Sequence, residues 1–141
     1  MRDKVIANLC SSNDRIEDLI RFSSELSVGK EFVLLVNKDE GLIERFQASY
    51  LNAYLRYIES DMRAKSLQME ILLFLAGTMR VDKAIERCGI SNTNGFILFA
   101  SSKKTWSKFR KRVNLDLIKE YKLQFDLDVA AKVAESALIE G

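Results

Sequence analysis

The spacing of apolar residues along the chain predicts short strands and amphipathic helices in alternation. Three β-favouring apolar runs predict strands at 4–9, 32–36 and 96–100. Apolar residues three or four positions apart predict helices at 16–26, about 39–60, 68–76, about 78–88, 103–112 and about 128–139. A polar loop is predicted at 61–66, and 115–125 fits either a strand or a helix followed by a strand.

This order of elements predicts a single α+β domain over 1–141. Its sheet should be small and mostly antiparallel, with three to four strands covered by about six to eight helices. Gly77 is expected to end one helix, and Gly89 to end the next in the left-handed conformation, with Ile90 folding back on the last turn.

Composition narrows the class of protein. With 141 residues, 48% hydrophobic residues and a formal net charge of +2, the chain is long and apolar enough to form one core. Its longest uninterrupted apolar run, 71–76, falls far short of the roughly 20 residues that span a bilayer. We therefore expect a soluble, cytoplasmic protein.

Histidine is absent, and this excludes much catalytic and metal chemistry. There is no Ser-His or Cys-His nucleophile pair, and the commonest metal ligand is missing. Cys10 and Cys88 are too far apart in the sequence for a CxxC pair. Two buried free thiols are the favoured interpretation, with a disulfide left open. No glycine pattern for phosphate or dinucleotide binding occurs, and we expect no cofactor and no metal.

The most concentrated charge lies in the predicted helix 103–112. Residues 101–112 contain six of the 22 basic residues and none of the 20 acidic ones. A nearly neutral protein that gathers positive charge on one helix can offer it to phosphates. The alternative, given equal weight, is a solvated helix face. In either case Trp106, Phe109 and Val113 are expected to pack into the core.

A second unusual feature is the apolar segment 127–139. Nine of its thirteen residues are apolar, about twice what one buried helix face needs. A helix that is apolar nearly all round is usually buried on more than one side, and at a terminus the second side can be a partner subunit. A last helix enclosed by its own domain is an equal alternative.

Two local patterns resemble sites of other functional classes. Residues 84–91 resemble the first half of a helix-turn-helix, but the predicted turn and strand that follow leave no room for a recognition helix. Acidic pairs such as Asp126 and Asp128, or Asp39 and Glu40, are interpreted as surface charge rather than as catalytic carboxylates. The residues alone therefore indicate a binding or scaffolding module.

One segment resembles a known family. Residues 69–85, Met-Glu-Ile-Leu-Leu-Phe-Leu-Ala-Gly-Thr-Met-Arg-Val-Asp-Lys-Ala-Ile, are similar to the block E-I-L-L…G-x-x-[QR]-I-x-x-A-I of the small kinase-binding subunit of the KEOPS complex, the TPRKB-like family, in its archaeal form. Gly89, Ile90 and the predicted strand 96–100 continue the same order of elements. At 101–104, Ser-Ser-Lys-Lys replaces the acidic turn of the family.

The resemblance implies a non-catalytic regulatory subunit. Such proteins bind the small atypical kinase/ATPase of KEOPS, the complex that installs threonylcarbamoyl on the adenosine next to the anticodon of tRNA. Archaeal members are also implicated in capturing tRNA, including its 3′ CCA end. For the kinase surface we expect Val129, Val133, Ala137 and Leu138, with Ile71 and Leu75 as neighbours. For RNA contact, charge alone selects Arg63, Lys65, Arg80, Lys104, Lys108 and Lys111.

Two other functions stay open at this stage: a helix-turn-helix-like DNA-binding regulator and a small enzyme without histidine. The predicted partners are the KEOPS kinase/ATPase and tRNA, with no membrane and no small-molecule substrate. Comparing the binding of tRNA, CCA-truncated tRNA and duplex DNA distinguishes the DNA-binding regulator from a KEOPS subunit. Turnover by the isolated chain would favour the small enzyme.

Overall fold

The computed structural model describes residues 4–123 of the chain. Its elements, in chain order, are β1 (Ile6–Ser11), α1 (Ile16–Leu26), β2 (Val33–Asn37), α2 (Glu40–Ile58), α3 (Leu67–Ala76), α4 (Val81–Cys88), β3 (Phe96–Ala100), α5 (Lys103–Arg112) and β4 (Asp116–Tyr121). The predicted α+β class is confirmed. The described residues hold five helices, fewer than the six to eight predicted for the whole chain. The predicted helix 128–139 lies outside them.

The four strands form one antiparallel sheet in the order β2-β3-β1-β4. β3 and β1 are its central strands, with Leu9 opposite Ile97. β4 pairs with β1 at one edge, across a register shift between Leu9 and Cys10. The segment 115–125, which fitted either a strand or a helix followed by a strand, therefore contains the strand β4. Residues 116–120 of this strand are all exposed.

Each face of the sheet has its own core, because successive side chains of a strand point to opposite faces. Leu34 and Val36 of β2 join the core beneath α2, α3 and α4, whereas Val33 and Leu35 join the core beneath α1 and α5. The sheet thus lies between two helical layers, which we call the α2–α4 layer and the α1/α5 layer.

Aromatic rings fill the centre of the α2–α4 layer. Phe46 of α2 stacks on Phe99 of β3, with ring centroids 3.9 Å apart and planes 5° from parallel. Phe32 and Tyr50 pack beside it, with centroids 6.3 and 5.5 Å from that of Phe46. All four rings are buried, so this cluster joins the longest helix to the middle of the sheet.

The order of elements leaves no place for a helix-turn-helix, as the sequence predicted. α4 ends at Cys88, and the chain then runs through a turn into β3 at Phe96 without an intervening helix. The backbone N–H of Ser12 donates to the carbonyl oxygen of Thr93 at 2.9 Å, which ties this turn to the end of β1.

Two glycines at helix ends have different roles. Gly77 ends α3, as predicted, and the structure places it in the left-handed conformation, with φ +67°. The prediction for Gly89 is wrong, because its φ is −63°. Glycine is needed there for space: a Cβ atom at this position would lie 2.6 Å from the carbonyl oxygen of Ile85. Ile90 packs into the core of the α1/α5 layer instead of folding back on α4.

Both cysteines are free, buried thiols, which was the favoured interpretation. They lie on opposite faces of the sheet, since Cys10 belongs to the core of the α1/α5 layer and Cys88 to that of the α2–α4 layer. Burial raises the pKa of the Cys10 thiol to about 12 and also raises the pKa of Cys88. Both groups therefore stay protonated at neutral pH and are poor nucleophiles.

Candidate binding surfaces

The basic helix α5 begins at a network of hydroxyl groups around one carboxylate. Ser102 caps the helix, its Oγ accepting from the backbone N–H of Thr105 at 3.2 Å. Oε2 of Glu31 accepts from Ser101 Oγ at 2.6 Å, from Ser102 Oγ at 3.1 Å and from Thr105 Oγ1. The start of α5 is thus anchored to the residue that precedes β2 by two positions.

This environment lowers the pKa of Glu31. Burial alone would raise it, but the hydrogen bonds from Ser101, Thr105 and Ser102 and the charge of Lys108 outweigh that effect. The ionised carboxylate is therefore the form that the folded protein favours.

A pH-dependent contribution to stability follows for Glu31. A carboxyl group with a lowered pKa in the folded state stabilises the protein above its unfolded pKa, here about 4.5. That contribution is lost as the pH falls through the lower, folded value. We expect the urea midpoint of the wild type to fall more between about pH 6 and about pH 3 than that of Glu31→Gln. Glu44→Gln, an exposed position on α2, is the matched control. Equal pH dependence in wild type and Glu31→Gln would contradict this role.

α5 turns its apolar side chains inward and its lysines outward. Phe109 and Val113 are buried and Trp106 is half-buried against the core of the α1/α5 layer, as predicted. The Asn8 amide, oriented so that its oxygen meets the indole, accepts from Trp106 Nε1 at 3.1 Å. This packing fixes which side of the helix faces solvent.

The exposed lysines of α5 are unpaired within the described part of the chain. Lys104, Lys108 and Lys111, which we call the α5 lysines, are exposed and form no ion pair with a carboxylate of residues 4–123. By contrast, Arg112 Nη1 lies 2.7 Å from Glu25 Oε2. The α5 lysines therefore keep their charge available to an external anion.

A cavity of about 260 Å³ lies between α3, its C-terminal turn and the preceding loop. Its lining residues are Arg63, Glu70, Leu73, Phe74, Gly77, Thr78 and Met79. We call it the α3 cavity. Its walls are mainly apolar, and its lining includes the exposed residues Arg63 and Met79.

Glu70 places a buried carboxylate at this cavity. Its side chain has 0% exposure. Oε1 accepts from the backbone N–H groups of Arg63 and Ala64 at 2.7 and 2.9 Å, which holds the loop 61–66 against α3. Oε2 is buried and accepts no hydrogen bond from the described residues. A buried acceptor left unpaired costs about 1–3 kcal/mol, so a donor supplied to Oε2 would be stabilising.

Three cations lie in or next to the segments that line the α3 cavity, and Arg63 is the one of them that lines it. Arg63, Lys65 and Arg80 are all exposed, and we call them the cavity cations. Arg80 is held in place by Asp82, with Nη2 2.9 Å from Oδ2 and Nε 3.2 Å from Oδ1. The guanidinium of Arg56 lies 5.8 Å from the centre of the Phe74 ring. The lining of the cavity thus combines an acidic residue, Glu70, apolar walls and one cation, Arg63.

The six predicted RNA-contacting residues therefore form two groups. The cavity cations belong to the α2–α4 layer, and the α5 lysines belong to the α1/α5 layer on the other face of the sheet. The sequence could not show this division, because it depends on which face of the sheet each helix covers.

The predicted kinase-contacting residues also form two groups, one buried in the core and one outside the described residues. Ile71 and Leu75 both have 0% exposure, so the structure corrects the expectation that they border a partner: α3 turns them into the core. Val129, Val133, Ala137 and Leu138 lie outside the described residues. In the described part, apolar side chains reach the surface beside α4, where Met79, Val81 and Ile85 are 66%, 38% and 48% exposed.

Residues 4–123 lack two features, a membrane-spanning helix and a cluster of metal ligands. No helix there is both long and apolar enough to cross a membrane. No three or more Cys, Asp or Glu side chains in that range come together as a group that could hold a metal ion.

Comparison with models of known protein families shows to which family the chain belongs. The family model described as kinase binding protein CGI-121 matches residues 43–139. The chain belongs to the CGI-121 family. This confirms the resemblance to the small kinase-binding subunit of KEOPS. The matched region of the chain includes the α3 cavity and α5. A search of curated proteins finds no match.

Glu70 is the residue of these surfaces that sequence reasoning missed. The sequence does contain a signal for this residue, because Glu70 is the one charged residue in the otherwise mainly apolar segment 67–76 of α3. A buried charge is retained only when it is paired or hydrogen-bonded, so a carboxylate in such a run indicates a specific contact. The sequence did not show that its partners are backbone N–H groups of the preceding loop.

Proposed function

We propose that this protein is a non-catalytic regulatory subunit of the KEOPS complex, acting in the cytoplasm in threonylcarbamoyladenosine modification of tRNA. It binds the small kinase/ATPase of the complex and helps to recruit tRNA, including its 3′ CCA end. The observation that carries the proposal is the match of residues 43–139 to a family of kinase-binding proteins. The absence of histidine and the buried, protonated thiols agree with a subunit that does no chemistry itself.

For the kinase, the proposed surface is the apolar C-terminal segment, with Val129, Val133, Ala137 and Leu138 as contacts. Its apolar content exceeds what one buried helix face requires. An interface of about 800 Å² per partner is enough for a stable complex. Preference for one conformation of the kinase would shift its population by the difference in affinity, which is how a subunit of this kind regulates.

Val133→Glu tests this surface. A carboxylate in an apolar contact must be desolvated without a partner, so we expect co-purification with the kinase to fall about tenfold, as measured by pull-down of the tagged chain. Circular dichroism and the thermal midpoint check that the variant folds.

Ile85→Glu is the matched control, since it puts the same charge on an exposed apolar position of α4. Loss of kinase binding in Ile85→Glu but not in a folded Val133→Glu would move the interface to α4. Undiminished kinase binding by a folded Val133→Glu contradicts the assignment of Val133.

For tRNA, support comes from the two groups of exposed cations. Lys104, Lys108 and Lys111 form no ion pair within residues 4–123. Arg63 lines the α3 cavity, and Lys65 and Arg80 are exposed and lie next to its lining segments in the sequence. Phosphate contacts by such side chains supply most of the affinity for a polyanion. A bound tRNA would be held at high effective concentration near the catalytic subunit of the complex. Tethering of tRNA is therefore the main proposed role, and stimulation of the kinase the second.

A further inference from the structure

The turn between α4 and β3 contains the one Asn-Gly pair of the sequence. Asn94 is exposed, and Gly95 follows it directly, just before β3 begins at Phe96. The other six asparagines of the chain are followed by residues that carry a side chain. Because glycine has no Cβ atom, the peptide nitrogen after Asn94 is open to close approach and the backbone around it rotates freely.

The carboxamide of Asn94 is not engaged by the described part of the protein. Its side chain forms no hydrogen bond with residues 4–123. The neighbouring carboxamide differs, since Oδ1 of Asn92 accepts from the backbone N–H of Asn94 at 2.8 Å. The side chain of Asn94 is therefore free to turn its Cγ atom towards the nitrogen of Gly95.

A polar cavity of about 440 Å³ adjoins this pair. Asn94 and Gly95 both line it, together with polar side chains that include Lys38, Asp39 and Asn92. Water therefore reaches the peptide bond between Asn94 and Gly95 as well as the carboxamide.

We propose that Asn94 is a site of spontaneous deamidation. The peptide nitrogen of Gly95 bonds to Cγ of Asn94, and Nδ2 leaves as ammonia with the proton that the peptide nitrogen loses. Water then opens the resulting five-membered succinimide at one of its two carbonyl groups, which gives aspartate or isoaspartate and releases a proton. The sum consumes one water and releases one ammonia, with no oxidant or reductant. The proposal is independent of kinase and RNA binding.

The isoaspartyl product changes the backbone as well as the charge. Its Cβ atom enters the main chain, which becomes one atom longer immediately before β3. The two sides of the turn are fixed: Phe96 has 0% exposure and pairs with Cys10 and Asn37, and the Thr93 carbonyl oxygen accepts from the backbone N–H of Ser12 at 2.9 Å. The extra atom must therefore be accommodated inside the turn, and we expect this product to be less stable than the aspartyl one.

Incubation of the full chain in mildly alkaline buffer, followed by peptide mass spectrometry, tests the site. In heavy-oxygen water, each converted molecule should take up one oxygen atom from the solvent. Asn52 is the internal control: it is exposed, but it lies within α2, is followed by Ala53, and its Nδ2 donates to the carbonyl oxygen of Ala48 at 2.9 Å. We expect Asn94 to convert about tenfold faster than Asn52, because the nitrogen that follows Asn52 belongs to a helix and to a residue with a Cβ atom.

Gly95→Ala is the matched variant, since it places a Cβ atom beside the attacking nitrogen. The nearest atom to that Cβ is Cδ of Lys38 at 3.3 Å, part of a flexible side chain, so the variant should fold. We expect conversion of Asn94 to slow about tenfold, with the other asparagines unchanged. Asn94→Asp supplies the charge of the product without the longer main chain, and its thermal midpoint is compared with that of the isoaspartyl fraction, separated by ion exchange.

The results divide clearly. Faster conversion of Asn94 than of Asn52, with solvent oxygen taken up and slowing in Gly95→Ala, supports the site. Equal rates at Asn94 and Asn52, or an unchanged rate in a folded Gly95→Ala, overturn it. A midpoint of the isoaspartyl fraction equal to that of Asn94→Asp overturns the predicted effect on the turn.

Discussion

Phe46→Ala is expected to lower the free energy of unfolding by about 3–5 kcal/mol. Phe46 has 0% exposure and stacks on Phe99 at 3.9 Å, so truncation removes buried apolar area and leaves a cavity between α2 and the sheet. The surrounding rings of Phe32 and Tyr50 can only partly fill that space. Urea denaturation followed by the fluorescence of Trp106, the single tryptophan, measures the change.

The position of Trp106 makes this measurement a test of cooperativity as well. It packs in the α1/α5 layer, on the other face of the sheet from Phe46. A matching shift in tryptophan fluorescence and in circular dichroism shows that the two layers unfold together. Phe46→Leu is the control, since it keeps most of the volume and should cost clearly less. A loss below about 1 kcal/mol in Phe46→Ala would contradict the central place of this ring in the core.

Charge reversal on either cation group is expected to weaken tRNA binding about a hundredfold at low salt. Lys104, Lys108 and Lys111 are changed to Glu in one variant, and Arg63, Lys65 and Arg80 in the other. Each lost phosphate contact also reduces the slope of log affinity against log salt by about 1, so the slope should fall by about 3 in each variant. A filter-binding titration over a range of salt concentrations measures both quantities.

The control for this experiment separates local contact from net charge. Lys30→Glu, Lys38→Glu and Lys83→Glu together change the net charge by the same amount, but at positions scattered over the α2–α4 layer and its loops, of which Lys30 and Lys38 are exposed and Lys83 is half-buried. This control should keep most of the tRNA affinity. If the control and a cation-group variant lose affinity equally, binding depends on overall charge and the assigned surfaces are wrong.

The same variants test tethering in the reconstituted complex. If tRNA is held by this subunit, a variant that no longer binds RNA but still binds the kinase should slow threonylcarbamoyl transfer at limiting tRNA and recover at high tRNA concentration. Full modification at all tRNA concentrations by such a variant would exclude the tethering role, while the kinase-binding role would stand.

Elements with strong periodicity and clear caps were predictable from the sequence. β3 and α5 have the predicted bounds, because β3 is an apolar run that follows the turn at Gly95 and α5 begins at its cap, Ser102. α1 spans the residues that its apolar spacing indicated, although Arg15, which precedes it, makes no side-chain cap. The structure begins and ends β2 one residue later than predicted, at Val33 and Asn37. In these elements, local preference and burial agree.

Elements whose environment depends on distant partners were not predictable. β4 is an edge strand, and its adjacent residues Leu117 and Ile118 are 43% and 55% exposed. Its apolar residues therefore do not alternate with polar ones, and 115–125 fitted either a strand or a helix followed by a strand. α3 is enclosed on several sides, with seven of its ten residues buried. An apolar run of this kind does not reveal which side chains stay accessible, and for that reason Ile71 and Leu75 were wrongly expected to border a partner.

The candidate site shows the same division between local and distant information. Charge selected exposed residues correctly, since all six predicted RNA contacts lie at the surface. The assembly of a cavity from Arg63, Glu70 and Met79 depends on how a loop folds back on α3, and neither composition nor periodicity encodes it. The backbone hydrogen bonds from Arg63 and Ala64 to Glu70 hold that loop against α3.

The placement of a sheet between the two cation groups limits the shape of any molecule that touches both at once. A straight double helix cannot touch both groups, because they lie on opposite faces of the sheet and not across a groove from each other. Double helices bend little at this scale: DNA, for comparison, stays nearly straight over about 50 nm. A strand that reaches both must curve around the border of the sheet, either past an edge strand, β2 or β4, or past the strand ends. The geometry of the protein thereby favours an RNA with a bend, a corner or a free single-stranded end over an uninterrupted duplex.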